Sequence, residues 1–323
     1  MAPRVGHAVH PSSPPSRQVV LSIVIPAFNC AEWLARSVGS AFLFADAAVE
    51  VVVVDDGSTD ATRQVLAGLQ QTHPTLRVLT QANAGLSAAR NAGIAQATGT
   101  HIVLLDADDE LAPMRQMPAL LDDVDMLRFG IEELTIDGKV FHHVESTAVQ
   151  TGTDYLAAAF KCGQLYAPSW SFIYRRGFLV EQGLRFAPGL LHEDMLFTVE
   201  ALMAAQRFKA VPDIGYRYFR RPGSITDPAD PARLRRRLQS LRSIERIVTA
   251  HANRQPQVDL GWWSLHVLDY AQLLARGSGS RTARWLVFTM WCGFFLRYRQ
   301  WGPYRTLQGE RYRLRRSLAA VLR

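Results

Sequence analysis

The sequence predicts an α/β fold, a parallel sheet covered by helices on both faces, with a helical extension at its C-terminal end. Three observations carry this reading. Short β-branched runs alternate with stretches of helical spacing over the first hundred residues. Each major run stops in a polar cluster, at Pro26–Asn29, Asp55–Asp60 and Asp106–Asp109. Beyond residue 230 the alternation gives way to an Arg-rich, Trp-rich segment of helical pattern.

The elements follow in order. Val19 to Ile25 reads as a strand buried on both faces, stopped by Pro26. Ala31 to Phe44 has helical spacing at Trp33, Leu34, Val38, Ala41 and Phe42. Val49 to Val54 is a second buried strand, after which Ser58 or Thr59 is expected to cap a helix running to Gln71. Leu76 to Leu79 is a third, short strand. Gly85 to Ala97 is a helix of small residues, and His101 to Leu105 the next strand. Ligands of open parallel sheets bind beyond the carboxyl ends of the strands. The three polar clusters are therefore expected to line one crevice. After Asp109 the pattern is less regular. Asp125 to Ile131 and Lys139 to His143 read as strands around an Asp137-Gly138 turn. Ser169 to Tyr174 is an aromatic strand, His192 to Ala205 a helix, and Val211 to Tyr218 extended. Arg220-Arg221-Pro222-Gly223-Ser224 is a basic turn, and Asp227 to Pro231 a linker.

The 323 residues suit one large domain or two, and 48% hydrophobic with 20% charged residues is ordinary for a globular core. Cys30, Cys162 and Cys292 lie far apart, without metal-ligand spacing, and fit a reducing compartment. Residues 1–17, rich in Pro, Ser and His without an apolar run, read as a disordered arm and not as a signal peptide. The net charge of +7 hides an asymmetry. Residues 230–323 hold 18 Arg against five acidic residues, +13, which leaves −6 for the rest. A coding preference for Arg over Lys accounts for the scarcity of Lys but not for the segregation. A basic tail on an acidic body suggests an anionic partner.

The chemistry concentrates at Asp106-Ala107-Asp108-Asp109. Carboxylates crowded at the end of a buried strand repel one another and lose solvation. A hard divalent cation relieves both, taking a few carboxylate oxygens and leaving other positions to water and phosphate. The alternative is an acidic turn capping the next helix. No Gly-x-Gly-x-x-Gly follows the first strand and no Gly-x-x-x-x-Gly-Lys-Ser/Thr occurs. A dinucleotide fold and a P-loop NTPase therefore lose support.

Four segments, Ser22-Ile-Val-Ile-Pro-Ala-Phe-Asn29, Val53-Val-Asp-Asp-Gly-Ser-Thr-Asp60, Asn83-Ala-Gly-Leu-Ser-Ala-Ala-Arg-Asn91 and Leu105-Asp-Ala-Asp-Asp109, resemble the family 2 glycosyltransferases of GT-A fold, in that family's order and spacing. The resemblance implies a Rossmann-like mixed sheet and an inverting transferase of bacterial surface-polysaccharide type. It implies a nucleotide-diphosphate sugar donor, expected to be a UDP-sugar, and Mn²⁺ or Mg²⁺. Pro26, Ala27 and Phe28 would line the base pocket, and Asp56 would hydrogen-bond the base. Asn83 would contact the donor or simply shape its loop. Arg90 would reach base or diphosphate, with a plain ion pair as the alternative. Asp106 would contact ribose or sugar and share the metal with Asp108. His192-Glu193-Asp194 resembles the family's acidic motif, which implies Asp194 as catalytic base and Glu193 as shaping residue or second candidate. An inverting transferase needs such a base to deprotonate the acceptor hydroxyl; simple helix capping is the alternative. Trp170 and Tyr174 are read as core, with stacking on a sugar ring as the alternative. Arg220 and Arg221, with Ser224 and Thr226, would close over the diphosphate or form a solvated turn.

The domains expected are a catalytic unit over 18–226, with a donor half 18–112 and an acceptor half 113–226, and a C-terminal segment 227–323. In that segment, 12 uncharged residues between Arg284 and Arg297 are too few for a membrane span. They suit an interfacial helix with Trp285, Trp291 and Trp301 at headgroup depth. A helix packed on the catalytic domain, or one mediating oligomers, is the alternative. Nucleic acid is not expected, because no recognition motif accompanies the charge. The functional expectation is a cytoplasmic transferase, peripheral on the inner face of the plasma membrane, acting on a glycan or lipid-linked glycan. Its rivals are a sugar-1-phosphate nucleotidyltransferase, which would need a Gly-rich basic loop after the first strand, and an inactive sugar- or partner-binding module.

Overall fold

The computed structural model describes residues 20–45, 48–114, 117–161, 168–220, 231–252, 260–276 and 281–298. The expectations for residues 1–17, Cys162, Arg221, Ser224, Thr226, the linker before Pro231 and Trp301 lie outside them.

The donor half forms as the βα alternation predicts. Strands β1 (Val20–Ala27), β2 (Ala48–Asp55), β3 (Arg77–Thr80) and β4 (His101–Leu104) are mutually parallel, ordered β3-β2-β1-β4. Helices α1 (Leu34–Phe42), α2 (Thr62–Thr72) and α3 (Leu86–Gln96) make the crossovers that parallel pairing requires. The small residues of α3 have a reason. A Cβ on Gly93 would lie 2.2 Å from Val24 Cγ1, so glycine lets the helix settle on the sheet.

Beyond β4 the sheet becomes mixed. After the short β5 (Glu110–Leu111) and α4 (Met117–Leu120), β6 (Met126–Thr135) and β7 (Gly138–His142) form an antiparallel hairpin, as tightly joined strands must. Helix α5 (Gly152–Lys161) leads to β8 (Phe172–Arg175), which runs antiparallel to both β4 and β6. Helices α6 (Arg176–Glu181) and α7 (Glu193–Ala204) precede β9 (Phe208–Phe219), parallel to β6. The full order is β3-β2-β1-β4-β8-β6-β9-β5, with β7 on β6. The parallel sheet read from local pattern therefore covers four strands only.

Helices α8 (Pro231–Ala252), α9 (Leu260–Arg276) and α10 (Arg281–Tyr298) pack on one another and against α5 and α7. Leu234, Leu238, Leu241, Ile244, Trp263, Val267, Ala271, Val287 and Trp291 join the same continuous core as the sheet. Burying so much aliphatic and aromatic surface is what holds the helices in place. This corrects the headgroup placement of Trp291, which is buried; Trp285 is 63% exposed. No helix among the described residues is long and apolar enough to cross a membrane.

Two local expectations are also corrected. Neither Ser58 nor Thr59 caps α2; the Asp60 carboxylate accepts from Thr62 N at 3.0 Å, because Ser58 and Thr59 both turn toward Asn29. Ser169–Ser171 form a 3₁₀ turn rather than strand.

Candidate active site

The three polar clusters meet at the carboxyl ends of β1, β2 and β4. Asn29, in the left-handed region at φ 49° that Asn tolerates, accepts from Thr59 N at 2.8 Å, and its own N–H reaches Ser58 Oγ at 3.0 Å. Pro26 and Ala27 are buried at the end of β1, while Phe28 is 49% exposed at the mouth of the crevice. Asp56 is buried and accepts from Gln81 Nε2 at 2.7 Å, Ala84 N at 2.9 Å and Gly85 N at 2.8 Å. It thus holds the loop carrying exposed Asn83. Three accepted bonds leave a carboxylate about one lone-pair site. Gly57, at φ 74°, is needed where that loop passes, because a Cβ there would lie 2.8 Å from Asn83 N.

The Asp106–Asp109 turn is held from α1 and β9. Arg36 donates to the Asp108 carbonyl at 2.6 Å and pairs with Glu110 at 2.9 Å. Asp109, buried, accepts from Tyr216 Oη at 2.9 Å and Phe219 N at 2.8 Å. Burial first, then the charges of Asp108 and Asp106, push its carboxyl well above the usual range. It ties β9 to the turn, while Asp106 and Asp108 remain partly exposed at the crevice.

Arg90 links the two halves. Its side chain is 2% exposed, 2.8 Å from Asp106 and 2.7 Å from Glu193. The helical spacing of α3 sets neighbouring residues on the same task. Ser87 donates to the Ala187 carbonyl at 3.0 Å, and Asn91 exchanges bonds with Phe186, Nδ2 to O at 2.8 Å and N to Oδ1 at 2.9 Å. The resemblance directed Arg90 to base or diphosphate; its guanidinium here spans two carboxylates, the ion-pair alternative in buried form.

Asp194 follows Glu193 in the first turn of α7 and accepts from Met195 N at 2.9 Å. Burial and the charge of Glu193 raise its carboxyl, Arg90 opposes them, and the outcome is about 7. A carboxylate so tuned suits proton abstraction near neutral pH. Trp170 and Tyr174 are both buried, as expected; Trp170 stacks on Tyr216 at 4.1 Å. Arg220 pairs with Glu133 at 2.8 Å.

Asp106 spends one carboxylate oxygen on Arg90, and among the described residues no three His, Cys, Asp or Glu side chains converge into a closed metal cage. The donors at the end of β4 are hard oxygens carrying excess negative charge. That set fits Mn²⁺ or Mg²⁺ held by one or two carboxylates and completed by phosphate and water.

Residues 22–136 match the family model described as glycosyl transferase family 2. The succinoglycan biosynthesis protein ExoU of Rhizobium meliloti (strain 1021) is 30% identical over 234 residues, 69% of this chain and 68% of that protein. The chain belongs to glycosyl transferase family 2. The uncharacterized glycosyltransferase YibD of Escherichia coli (strain K12) is 31% identical over 216 residues, 64% of this chain. The match spans 63% of YibD's own length, less than two thirds. The family's GT-A fold is the one seen here. S. aureus TarS residues 1–349, solved in complex with UDP-GlcNAc, superposes with a TM-score of 0.55 at 22% identity, covering 82% of this chain and 83% of that one.

Sequence reasoning missed Arg36, Tyr216, Arg237 and the fastening role of Ser87 and Asn91. Helical spacing at 87, 90 and 91 was the available signal for α3. Arg36 and Tyr216 act across long sequence separations and leave no local mark, and Arg237 shows only as a charge on an otherwise apolar helix face.

Proposed function

We propose that this protein is an inverting glycosyltransferase that moves a sugar from a nucleoside-diphosphate donor, a UDP-sugar, to a hydroxyl of a glycan or lipid-linked glycan in surface-polysaccharide synthesis. The observation that carries the reading is the buried bridge from Asp106 through Arg90 to Glu193, beside Asp194. It joins carboxylates suited to a diphosphate–metal group with one suited to deprotonate an acceptor. Pro26, Ala27, Phe28, Asp56 and Asn83 would receive the nucleoside. Asp106 and Asp108 would hold Mn²⁺ or Mg²⁺, whose charge would offset that of the departing diphosphate. Asp194 takes the acceptor proton as the hydroxyl oxygen attacks the anomeric carbon and the nucleoside diphosphate leaves on the opposite face. Glu193 and Arg90 keep Asp194 in place.

The setting proposed is the cytoplasmic face of an anionic membrane. Exposed Arg235, Arg236, Arg242, Arg246 and Arg281, with exposed Trp285, support a peripheral contact.

A thermal-shift series tests the function. UDP with Mn²⁺ is expected to raise the melting temperature by mass action, and UDP without metal far less. Asp108→Asn should remove the metal-dependent part while calorimetry still shows a cooperative unfolding transition. An unchanged metal-dependent shift in the variant would sink the assignment.

A further inference from the structure

The C-terminal helices reach the back of the site at one point. His192, immediately before α7, has φ 67° and ψ 34°, a left-handed conformation uncommon for a non-glycine residue. Three contacts enforce it. Arg237, in the second turn of α8 and 2% exposed, donates from Nε to His192 Nε2 at 3.1 Å. Tyr270 of α9 meets the imidazole edge-on at 5.3 Å between centroids and accepts from Arg237 Nη2 at 3.3 Å. One residue earlier, Leu191 N donates to Ser240 Oγ of α8 at 3.0 Å. The next two residues are Glu193, paired with Arg90, and Asp194.

We infer that Arg237 is a positioning residue for Asp194: it clamps His192 in the left-handed turn that opens α7 and so sets the direction in which Asp194 presents its carboxyl. Because Nε2 accepts the bond, the ring carries its proton on Nδ1. Burial, and then the Arg237 charge, push the His192 pKa down to about 3, so the clamp stays intact over the working pH range. The groups near Asp194 are Glu193 beside it, Arg90 of α3, Asp106 of the turn after β4, and Tyr174 and Tyr270, whose hydroxyls both feel its charge. Arg237 touches neither donor nor acceptor in this account. It acts through the backbone, and the C-terminal helices become part of the catalytic unit. The inference rests on the reading of Asp194 as base.

The test uses the full chain and the variants Arg237→Met, His192→Gly, His192→Gln and Asp194→Asn. The readouts are amide hydrogen exchange at residues 191–196, the thermal shift with UDP and Mn²⁺, and acceptor-free hydrolysis of UDP-N-acetylglucosamine, UDP-glucose and UDP-galactose, taking whichever the wild type turns over. Arg237→Met should raise exchange at 191–196 about tenfold or more and lower kcat about tenfold or more, as a displaced catalytic group does. KM for the donor and the UDP shift should stay within about twofold of wild type, because the donor half is untouched. His192→Gly permits the turn but loses the acceptor and should behave like Arg237→Met. His192→Gln keeps an acceptor oxygen at the reach of Nε2, and should recover most of kcat. Unchanged exchange and kcat in folded Arg237→Met overturn the inference. If that variant does not fold, His192→Gly decides in the same way. Normal hydrolysis by Asp194→Asn would refute the base and leave the exchange result to judge the clamp alone.

Discussion

Asp194→Asn is expected to stabilise the protein above neutral pH while disabling it. In the folded chain the carboxyl titrates at about 7, against an ordinary 3.8. Between those values the folded state holds a proton that the unfolded state has released. Stability therefore falls as pH rises from about 4 to about 7, and the loss is complete above 7. Three pK units would amount to about 4 kcal/mol. Asp194 is partly exposed and the Arg90 charge opposes the shift, so about 1–2 kcal/mol is the reasonable expectation. That corresponds to roughly 2–5 °C in Tm for a chain of this size. An asparagine carries no charge to strand, so the variant should melt higher than wild type at pH 8 and together with it near pH 4.5. Turnover of a nucleotide sugar by wild type should climb through about pH 7 as the base ionises, and the variant should lose about 10²-fold or more. The assays are differential scanning fluorimetry from pH 4.5 to 8.5 and release of nucleoside diphosphate over the same range. A gain in Tm that ignores pH, a loss of Tm at pH 8, or near-normal turnover would each refute the reasoning.

Arg90→Met should cost about 3–5 kcal/mol in denaturant unfolding, since it leaves Asp106 and the buried Glu193 without their cation. Arg90→Lys should recover only part of it, because an ammonium does not span two carboxylates as a planar guanidinium does. Truncation after residue 230 removes the cover over α5 and α7 and should give a chain that aggregates or melts much lower than the full protein; an equally stable truncated form would contradict the shared core. Co-sedimentation of the full chain with vesicles containing phosphatidylglycerol should fall, but not vanish, as salt rises; absence of pelleting at low salt would reject the membrane contact.

The donor half was legible almost residue by residue. Strands β1, β2 and β4 are apolar and largely buried, and α1 and α2 each carry a helical period, while the edge strand β3 is only half-buried. Boundaries moved by one to three residues: β1 runs to Ala27 rather than Ile25, and α1 starts at Leu34 rather than Ala31. The acceptor half was legible only in pieces. Strand β8 pairs antiparallel between β4 and β6, a reversal set by tertiary pairing and not by the composition of Phe172–Arg175. Helix α5, short and alanine-rich, packs its apolar face against α7 and α9.

The site divides along the same line. Motifs placed Asp56, Asp106, Asp108 and Asp194 at one crevice, because each stands at a chain reversal where local sequence is constrained. What motifs could not convey is which partner each side chain meets. Arg90 lies 16 residues from Asp106 and 103 from Glu193, and Arg237 lies 45 from His192. Pairs so far apart have no period and no spacing rule; their only sequence trace is a charged residue on a face that should be buried. Arg90 sits among Ala89, Ser87 and Gly93 on the buried side of α3, and Arg237 between Leu234, Leu238 and Leu241 on the buried side of α8. An isolated arginine inside an apolar helix face costs too much to bury alone. Its presence there is itself the signal that a carboxylate, or a neutral ring nitrogen, waits on the element it packs against.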